Sequence, residues 1–422
     1  MGKLKELFIK NRIEKLARHK KRKKFHKRNK RKIKRIVLTK SQKIFRNNNF
    51  YETIDSSVIS IPENFNIIDN PEESLMVLKS INYLFEKTEK DDIKMDYSNC
   101  KKLGLESSVL TDLIVLNGLK YRNKTGNQVK LSGNQPTTYA AGEIFWNSGL
   151  LKHLNLSKIE DPNVVRLDPF NSVIKDINYS TNKTIEYIND CMRRIGYTLN
   201  NKGVSYFNEL VGEIIGNAKE HSGIDGDWYI SGHFSELSKE EYGKGSLCFI
   251  SMGNTIYYNL INNCKSEETH KKIVEHLKNH KKLFNNGWNK EASVTVFGLQ
   301  YRISSETDEN NIDRGTGTIK FIDKFSKLGK TYNDEKPRMA ILSGNTHILF
   351  DGTYNLSEKQ TEKGKAQVIA FNKDNDLKKR PDPNYVKVLK NGFPGVIISL
   401  EFHLDKKYFD KIKEEQKWKK YQ

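Results

Sequence analysis

The stretch ELVGEIIGNAKEHSG, residues 209–223, places a carboxylate, an amide and an imidazole at Glu213, Asn217 and His221 inside an otherwise apolar helix. At about 100° per residue, Glu209, Glu213, Asn217 and Glu220 share one narrow stripe, with His221 at its edge. Phe207, Leu210, Val211, Ile214, Ile215 and Ala218 occupy the other side, the pattern of a helix with one buried face. Gly212 and Gly216 flank the polar row, and each costs a helix about 1 kcal/mol relative to Ala. Bare backbone beside a carboxylate and an amide suits a ligand lying close against the helix. The competing reading is an ordinary amphipathic helix whose polar face meets water.

Two glycine-bearing pieces downstream favour the ligand. ISMGNTI, residues 250–256, follows an apolar strand and opens a helix. RGTGTIKFIDKF, residues 314–325, carries Arg314, Gly315, Thr316, Gly317 and Thr318 at the start of another helix, led by the polar SSETDENNID. Glycine-rich backbone at a helix N-terminus presents unpaired N–H groups and the positive end of the helix dipole to phosphate.

In this order, EIIGNAKEHSG, ISMGNTI and RGTGTIKFI resemble the motifs of the GHKL ATPase superfamily, which includes gyrase-type topoisomerases, heat-shock chaperones, mismatch-repair ATPases, histidine kinases and anti-sigma serine kinases. The resemblance covers about residues 180–404. It implies an α/β (α+β) fold of the Bergerat type, with a mixed sheet, helices on one face and a lid over ATP, for which residues 304–313 are the candidate. It implies ATP and Mg²⁺ as cofactors. Asn217 matches the asparagine that holds Mg²⁺ on the phosphates. Glu213 matches the acid that activates the attacking water, or the protein hydroxyl in the serine kinases. His221 lies at the edge of that row. Gly253, followed by Asn254, matches the first glycine of the adenine-side motif, and Arg314 to Thr318 match the phosphate-side motif. Two positions depart from the pattern: Ser251 stands where the family has the aspartate that binds the adenine amino group, and Thr255 stands at the usual second glycine. Replacing a charge-assisted bond by a neutral one weakens adenine binding by roughly 1–2 kcal/mol.

Upstream, strand-like SSVISIPENFNI, DDIKMDYSNC and GNQVKLSGN alternate with helix-like ESLMVLKSINYLFEK, SSVLTDLIVLNGL and YAAGEIFWNSGLLKHL. Strand–helix alternation over about 100 residues predicts a small α/β domain. MDYSNC followed by LGLESSVL resembles the STAS fold of anti-sigma-factor antagonists, in which a serine at the start of a helix is phosphorylated; Ser107 or Ser108 matches it. A helix N-cap explains Ser107 equally well. The expected organisation is a basic tail (1–50), a STAS-like domain (51–165), a linker (166–180), the ATP-binding domain (181–404), with a polar surface insertion at 355–392, and a basic C-terminal tail (405–422).

The net charge of +21 is concentrated at one end: residues 1–36 carry 18 Lys or Arg against Glu6 and Glu14, a local +16, which leaves +5 for the rest. Such a segment attracts polyanions by counterion release, which makes nucleic acid a possible partner; a solvated tail, a membrane surface and a protein are the alternatives. Cys100, Cys191, Cys248 and Cys264 form no CxxC pair and suit reduced thiols in a cytoplasm. His276 and His280, one turn apart, read as two exposed helical histidines rather than metal ligands. No run of apolar residues is long enough for a membrane span.

Three functions follow. The first is a slow Mg²⁺-dependent ATPase that closes a lid or forms a homodimer to act on a nucleic-acid or protein partner, in a regulatory or phage-defence setting suggested by resemblance to bacterial proteins of this architecture. The second is a protein serine kinase of the partner-switch type, acting on its own STAS-like region or on another protein. The third is a nucleotide-binding or scaffold module without turnover.

Overall fold

The computed structural model describes residues 56–147, 163–171, 177–221, 227–237, 242–300, 303–304, 317–326, 335–361 and 364–418. The residues 1–36 segment, most of the expected lid and Arg314, Gly315 and Thr316 lie outside the described residues. The chain is mixed α/β, with several sheets.

The first unit runs β1 (Val58–Ser60), β2 (Asn64–Phe65), α1 (Pro71–Lys87), β3 (Asp92–Asp96), β4 (Lys102–Leu103), α2 (Leu105–Lys124), β5 (Lys130–Asn134) and α3 (Tyr139–Trp146). β1, β3 and β5 form a parallel sheet in that order. Pro71 opens α1 with its φ already set for a helix, and Glu72 and Glu73 in the first turn face the positive end of its dipole.

The second unit runs β6 (Val164–Asn171), α4 (Ile177–Arg194), α5 (Asn201–His221), β7 (Trp228–Leu237), β8 (Tyr242–Met252), α6 (Ile256–Asn262), α7 (Glu267–Asn279), α8 (Lys281–Asn285), α9 (Lys290–Gly298), α10 (Gly317–Ser326), β9 (Arg338–Phe350), β10 (Ser357–Thr361), β11 (Gly364–Val368), β12 (Val386–Asp405) and α11 (Lys406–Trp418). Its main sheet has the order β6-β7-β8-β12-β9. Every neighbouring pair in it is antiparallel, so the mixed sheet expected from the sequence is corrected. The short β7–β8 connection permits only a hairpin, and β12 then inserts antiparallel to both β8 and β9.

The second unit's helices α4, α5 and α10 pack on one face of this sheet, and α1 and α2 of the first unit cover the other. Along β8, Leu247 and Phe249 enter a core shared with Ile188 of α4, Val211 and Ile214 of α5 and Ile322 of α10. Cys248, Ile250 and Met252 enter the opposite core, shared with Leu78 and Phe85 of α1 and Val109 and Leu113 of α2. A strand apolar at successive positions buries both faces. The two units therefore share a core, with α1 and α2 lying between the parallel and the antiparallel sheets.

Polar contacts tie the same interface. The fully buried Glu106 carboxylate accepts the Ile67 N–H at 2.8 Å and the Ser399 hydroxyl at 2.9 Å. Gly104 is required beside it, because a methyl group there would overlap the carboxylate. Asp69 pairs with Lys102 and with Arg338 of β9, and Arg338 also meets Glu401 of β12 at 3.4 Å. Ser107 and Ser108, the expected phosphorylation sites, are buried in this interface at 0% and 4% exposure. A kinase cannot reach their hydroxyls in the folded chain.

Other boundaries also shift. Residues 166–171, expected in the linker, belong to β6 and pair with β7. The expected 355–392 loop holds the β10–β11 hairpin and the beginning of β12. All four cysteines are free thiols. Among the described residues, no helix is long and apolar enough to cross a membrane.

Candidate functional site

α5 lies on the antiparallel sheet through its apolar stripe, with Leu210, Val211, Ile214 and Ile215 buried. Its polar row divides in two. Glu209 is exposed and forms an ion pair with Lys324 of α10. Glu213 and Asn217, one turn and two turns further on, are half-buried and bonded to each other, the Asn217 amide nitrogen donating to Glu213 Oε1 at 3.3 Å. His221 is the last residue of α5. The side chain of Glu220 lies outside the described residues.

α10 supplies the facing wall. Gly317 is buried at the first described residue of that helix, and a methyl group on it would overlap the Glu213 carboxylate. The Glu213 carboxylate thus lies against bare backbone at the N-terminal end of α10, where the first N–H groups have no intrahelical acceptor. Thr318 is half-buried beside it. Asn208, Gly212 and Glu213 from one side and Gly317, Lys320 and Lys324 from the other line a cleft of about 360 Å³. Sequence reading missed Lys320 and Lys324 as cleft residues, although their i, i+4 spacing in TIKFIDKF places both on one helical face.

Gly212 and Gly216 have open space where a Cβ would lie, whereas Gly317 has none. Opposite outcomes follow for the same substitution. Gly212→Ala is expected to raise stability by about 1 kcal/mol through helix propensity and a smaller unfolded-state entropy. Gly317→Ala is expected to lower it by about 1–3 kcal/mol, because the Glu213 carboxylate must move. Thermal unfolding of the two variants checks both signs.

The end of β8 meets the same part of α5. Ser251 is 6% exposed, and its hydroxyl donates to the Ala218 carbonyl at 3.5 Å, one residue past Asn217. Gly253 follows with φ of +140°, a region that glycine adopts without strain, and its N–H donates to the Pro394 carbonyl at 3.1 Å. Thr255 caps α6, its hydroxyl accepting the Tyr258 N–H at 3.0 Å. Asn254 lies half-buried between Gly253 and this cap.

The structure therefore gathers Glu213, Asn217, Gly317 and Thr318 at the α5–α10 junction and brings Ser251 against the next turn of α5. Such a constellation offers a carboxylate to accept a proton, an amide oxygen to meet a hard cation, and helix N–H groups to meet an anion. His276 and His280 are buried rather than exposed, at 7% and 3%. His276 Nε2 lies 3.0 Å from Ser293 Oγ, and burial pushes its pKa down to about 3. His280 contacts the His276 and Leu377 carbonyls, so both rings serve packing. Among the described residues, no group of three His, Cys, Asp or Glu side chains is placed to hold a metal. Compared with known proteins, the chain matches no protein-family model, no curated protein and no solved structure.

Proposed function

We propose that this chain is a GHKL-type ATP-binding protein, with a Bergerat-like α/β sandwich joined to a STAS-like unit. In this reading it hydrolyses ATP slowly with Mg²⁺ and uses lid closure or homodimerisation to act on a nucleic-acid or protein partner, in bacterial regulation or phage defence. The observation that carries the reading is the hydrogen-bonded Glu213–Asn217 pair set against the side-chain-free N-terminal end of α10. The residues fit the nucleotide on two counts. Only glycine at 317 lets the α10 backbone come up against the Glu213 carboxylate, which a Cβ would overlap, and the open space at Gly212 and Gly216 allows a ligand to approach the α5 backbone. The parallel β1-β3-β5 sheet, with α1 and α2 between its strands in sequence, supports the STAS-like reading.

When bound, Mg-ATP supplies the γ-phosphoryl group to be transferred. Glu213 orients a water and accepts its proton at a carboxylate oxygen. Asn217 presents its amide oxygen to the metal, a role compatible with its N–H₂ bond to Glu213. The N-terminal N–H groups of α10, at Gly317 and Thr318, hold the phosphates, together with Arg314, Gly315 and Thr316 from the preceding segment. Ser251 and Gly253 would hold the base. In place of a carboxylate, the Ser251 hydroxyl offers one neutral bond, already directed to Ala218.

That substitution is the observation favouring the non-hydrolysing module. Burial of Ser107 and Ser108 weighs against the chain phosphorylating its own STAS-like unit. The test is phosphate release from radiolabelled ATP, with and without Mg²⁺ and in Glu213→Gln. Label in solution supports a hydrolase, label on protein supports a kinase, and neither supports the binding module.

A further inference from the structure

A charged surface whose residues do not line the α5–α10 cleft is assembled from two segments far apart in sequence. His280, between α7 and α8, meets the carbonyl of Leu377, 97 residues away. The Arg380 guanidinium lies 5.0 Å from the centre of the Trp288 ring, just before α9. These contacts seat the 371–382 loop on the corner formed by α7 and α8, and Lys379, His276, His280 and Trp288 line one small cavity there.

The loop is braced from within. Asn375 adopts φ of +47°, its side-chain oxygen accepts the Ala370 N–H at 2.6 Å, and its amide donates to the Val368 carbonyl at 2.9 Å. The Asn372 side chain accepts the Asp376 N–H at 2.9 Å. An internally bonded loop presents its side chains in fixed positions, unlike a solvated charged tail.

Around the two anchoring contacts, Lys278, Lys281 and Lys282 from one segment and Lys378, Lys379 and Arg380 from the other are exposed. The acids in these segments are fewer. Asp374 is paired with Lys379 at 2.7 Å, Asp376 accepts the Lys378 N–H at 2.9 Å, and Glu275 is exposed one turn before Lys278. The balance is positive, whereas residues 37–422 as a whole carry a net charge of only +5. Trp288 is 5% exposed, while Leu283 and Phe284 are half-buried against the main core. The surface therefore offers mainly cations: its rings are buried or half-buried, and Val274 of α7, one turn before Lys278, is a single small exposed apolar group rather than a wedge for a bilayer.

We propose that this face binds the phosphodiester backbone of a nucleic acid without reading its bases. Charge complementarity carries the assignment, since each phosphate neutralised by a lysine or arginine releases a condensed counterion. The face is built from residues other than the 1–36 segment and does not depend on the nucleotide reading.

The test is fluorescence anisotropy with the full chain, using a labelled DNA duplex and a single-stranded RNA across a range of NaCl concentrations. In Lys281→Gln/Lys282→Gln/Lys378→Gln, the slope of log K against log salt is expected to flatten by about 2.7 for duplex DNA and about 2 for single strands. Lys87→Gln/Lys101→Gln/Lys120→Gln, which removes three exposed cations from the first unit, is expected to leave the slope unchanged. The DNA and RNA arms show which backbone is preferred. A wild-type slope in the first variant would overturn the proposal and leave binding to the tail. Absence of binding to both nucleic acids, or binding to phosphatidylserine vesicles alone, would overturn it as well.

Discussion

ATP turnover is expected to fall about 10²–10⁴-fold when Glu213 is replaced by Gln, the range that a positioned general base contributes. Gln keeps the length and shape of Glu and can still accept the Asn217 amide hydrogen, so the packing of α5 against α10 should persist. What it loses is the capacity to take a proton from the nucleophile. Nucleotide affinity is therefore expected to change little while phosphate release collapses, a separation that only an interaction with the reacting atoms produces. Calorimetry run beside the turnover assay measures both. Unchanged turnover in Glu213→Gln would reduce this carboxylate to a cap on α10.

The second large effect concerns stability at the junction of the two units. Glu106→Ala is expected to cost about 2–5 kcal/mol, because it leaves the buried Ile67 N–H and the Ser399 hydroxyl without their acceptor and opens a cavity. Glu106→Gln should act in the opposite direction at neutral and alkaline pH. Burial raises the Glu106 pKa above its ordinary carboxylate value, with bonds from Ile67 and Ser399 offsetting part of the rise. A folded-state pKa above the unfolded one means that the protonated acid contributes its full stabilisation below the unfolded value, and that this contribution is lost as pH rises through the folded value. Gln resembles the protonated acid, keeping an oxygen for Ile67 and a donor for Ser399. Melting temperatures from pH 4 to pH 8 should fall with rising pH more steeply in the wild type than in Glu106→Gln. Parallel profiles would mean that Glu106 is not ionising in that range.

Much of the local architecture was legible in the sequence. The single apolar stripe of α5 was clear because that helix buries one definite face, whereas the 3.6-residue period of α1 marked a helix but not the burial of Val77 to Asn82 all round. The polar row of α5 also pointed to its own partner, since the glycine piece that meets it carries a position, Gly317, where a side chain would not fit. α9 was not legible: its β-branched SVTV run carries no helix signal, yet the Asn289 side chain caps a helix by accepting the Ala292 N–H at 3.0 Å. The sharing of one core by both units was equally hidden. Glu106 opens α2 as an acidic first-turn residue would on a solvated helix, and its partner Ser399 lies 293 residues away. α2 is buried on several sides because it lies between two sheets, and no period in its own sequence announces the second one. His276 and His280 looked exposed for the same reason: α9 covers the first and the loop carrying Leu377 meets the second, and neither cover is written in their own helix.

The central claim is that the Glu213–Asn217 face holds a metal-bound nucleotide. Isothermal titration of ATP into wild type and Asn217→Ala, with Mg²⁺ and then with EDTA, tests it most directly. The account predicts Mg²⁺-dependent binding in the wild type and its loss in Asn217→Ala, with the melting temperature of the free protein unchanged. Binding of equal strength in both proteins, or no binding of ATP to a folded wild type, would contradict it.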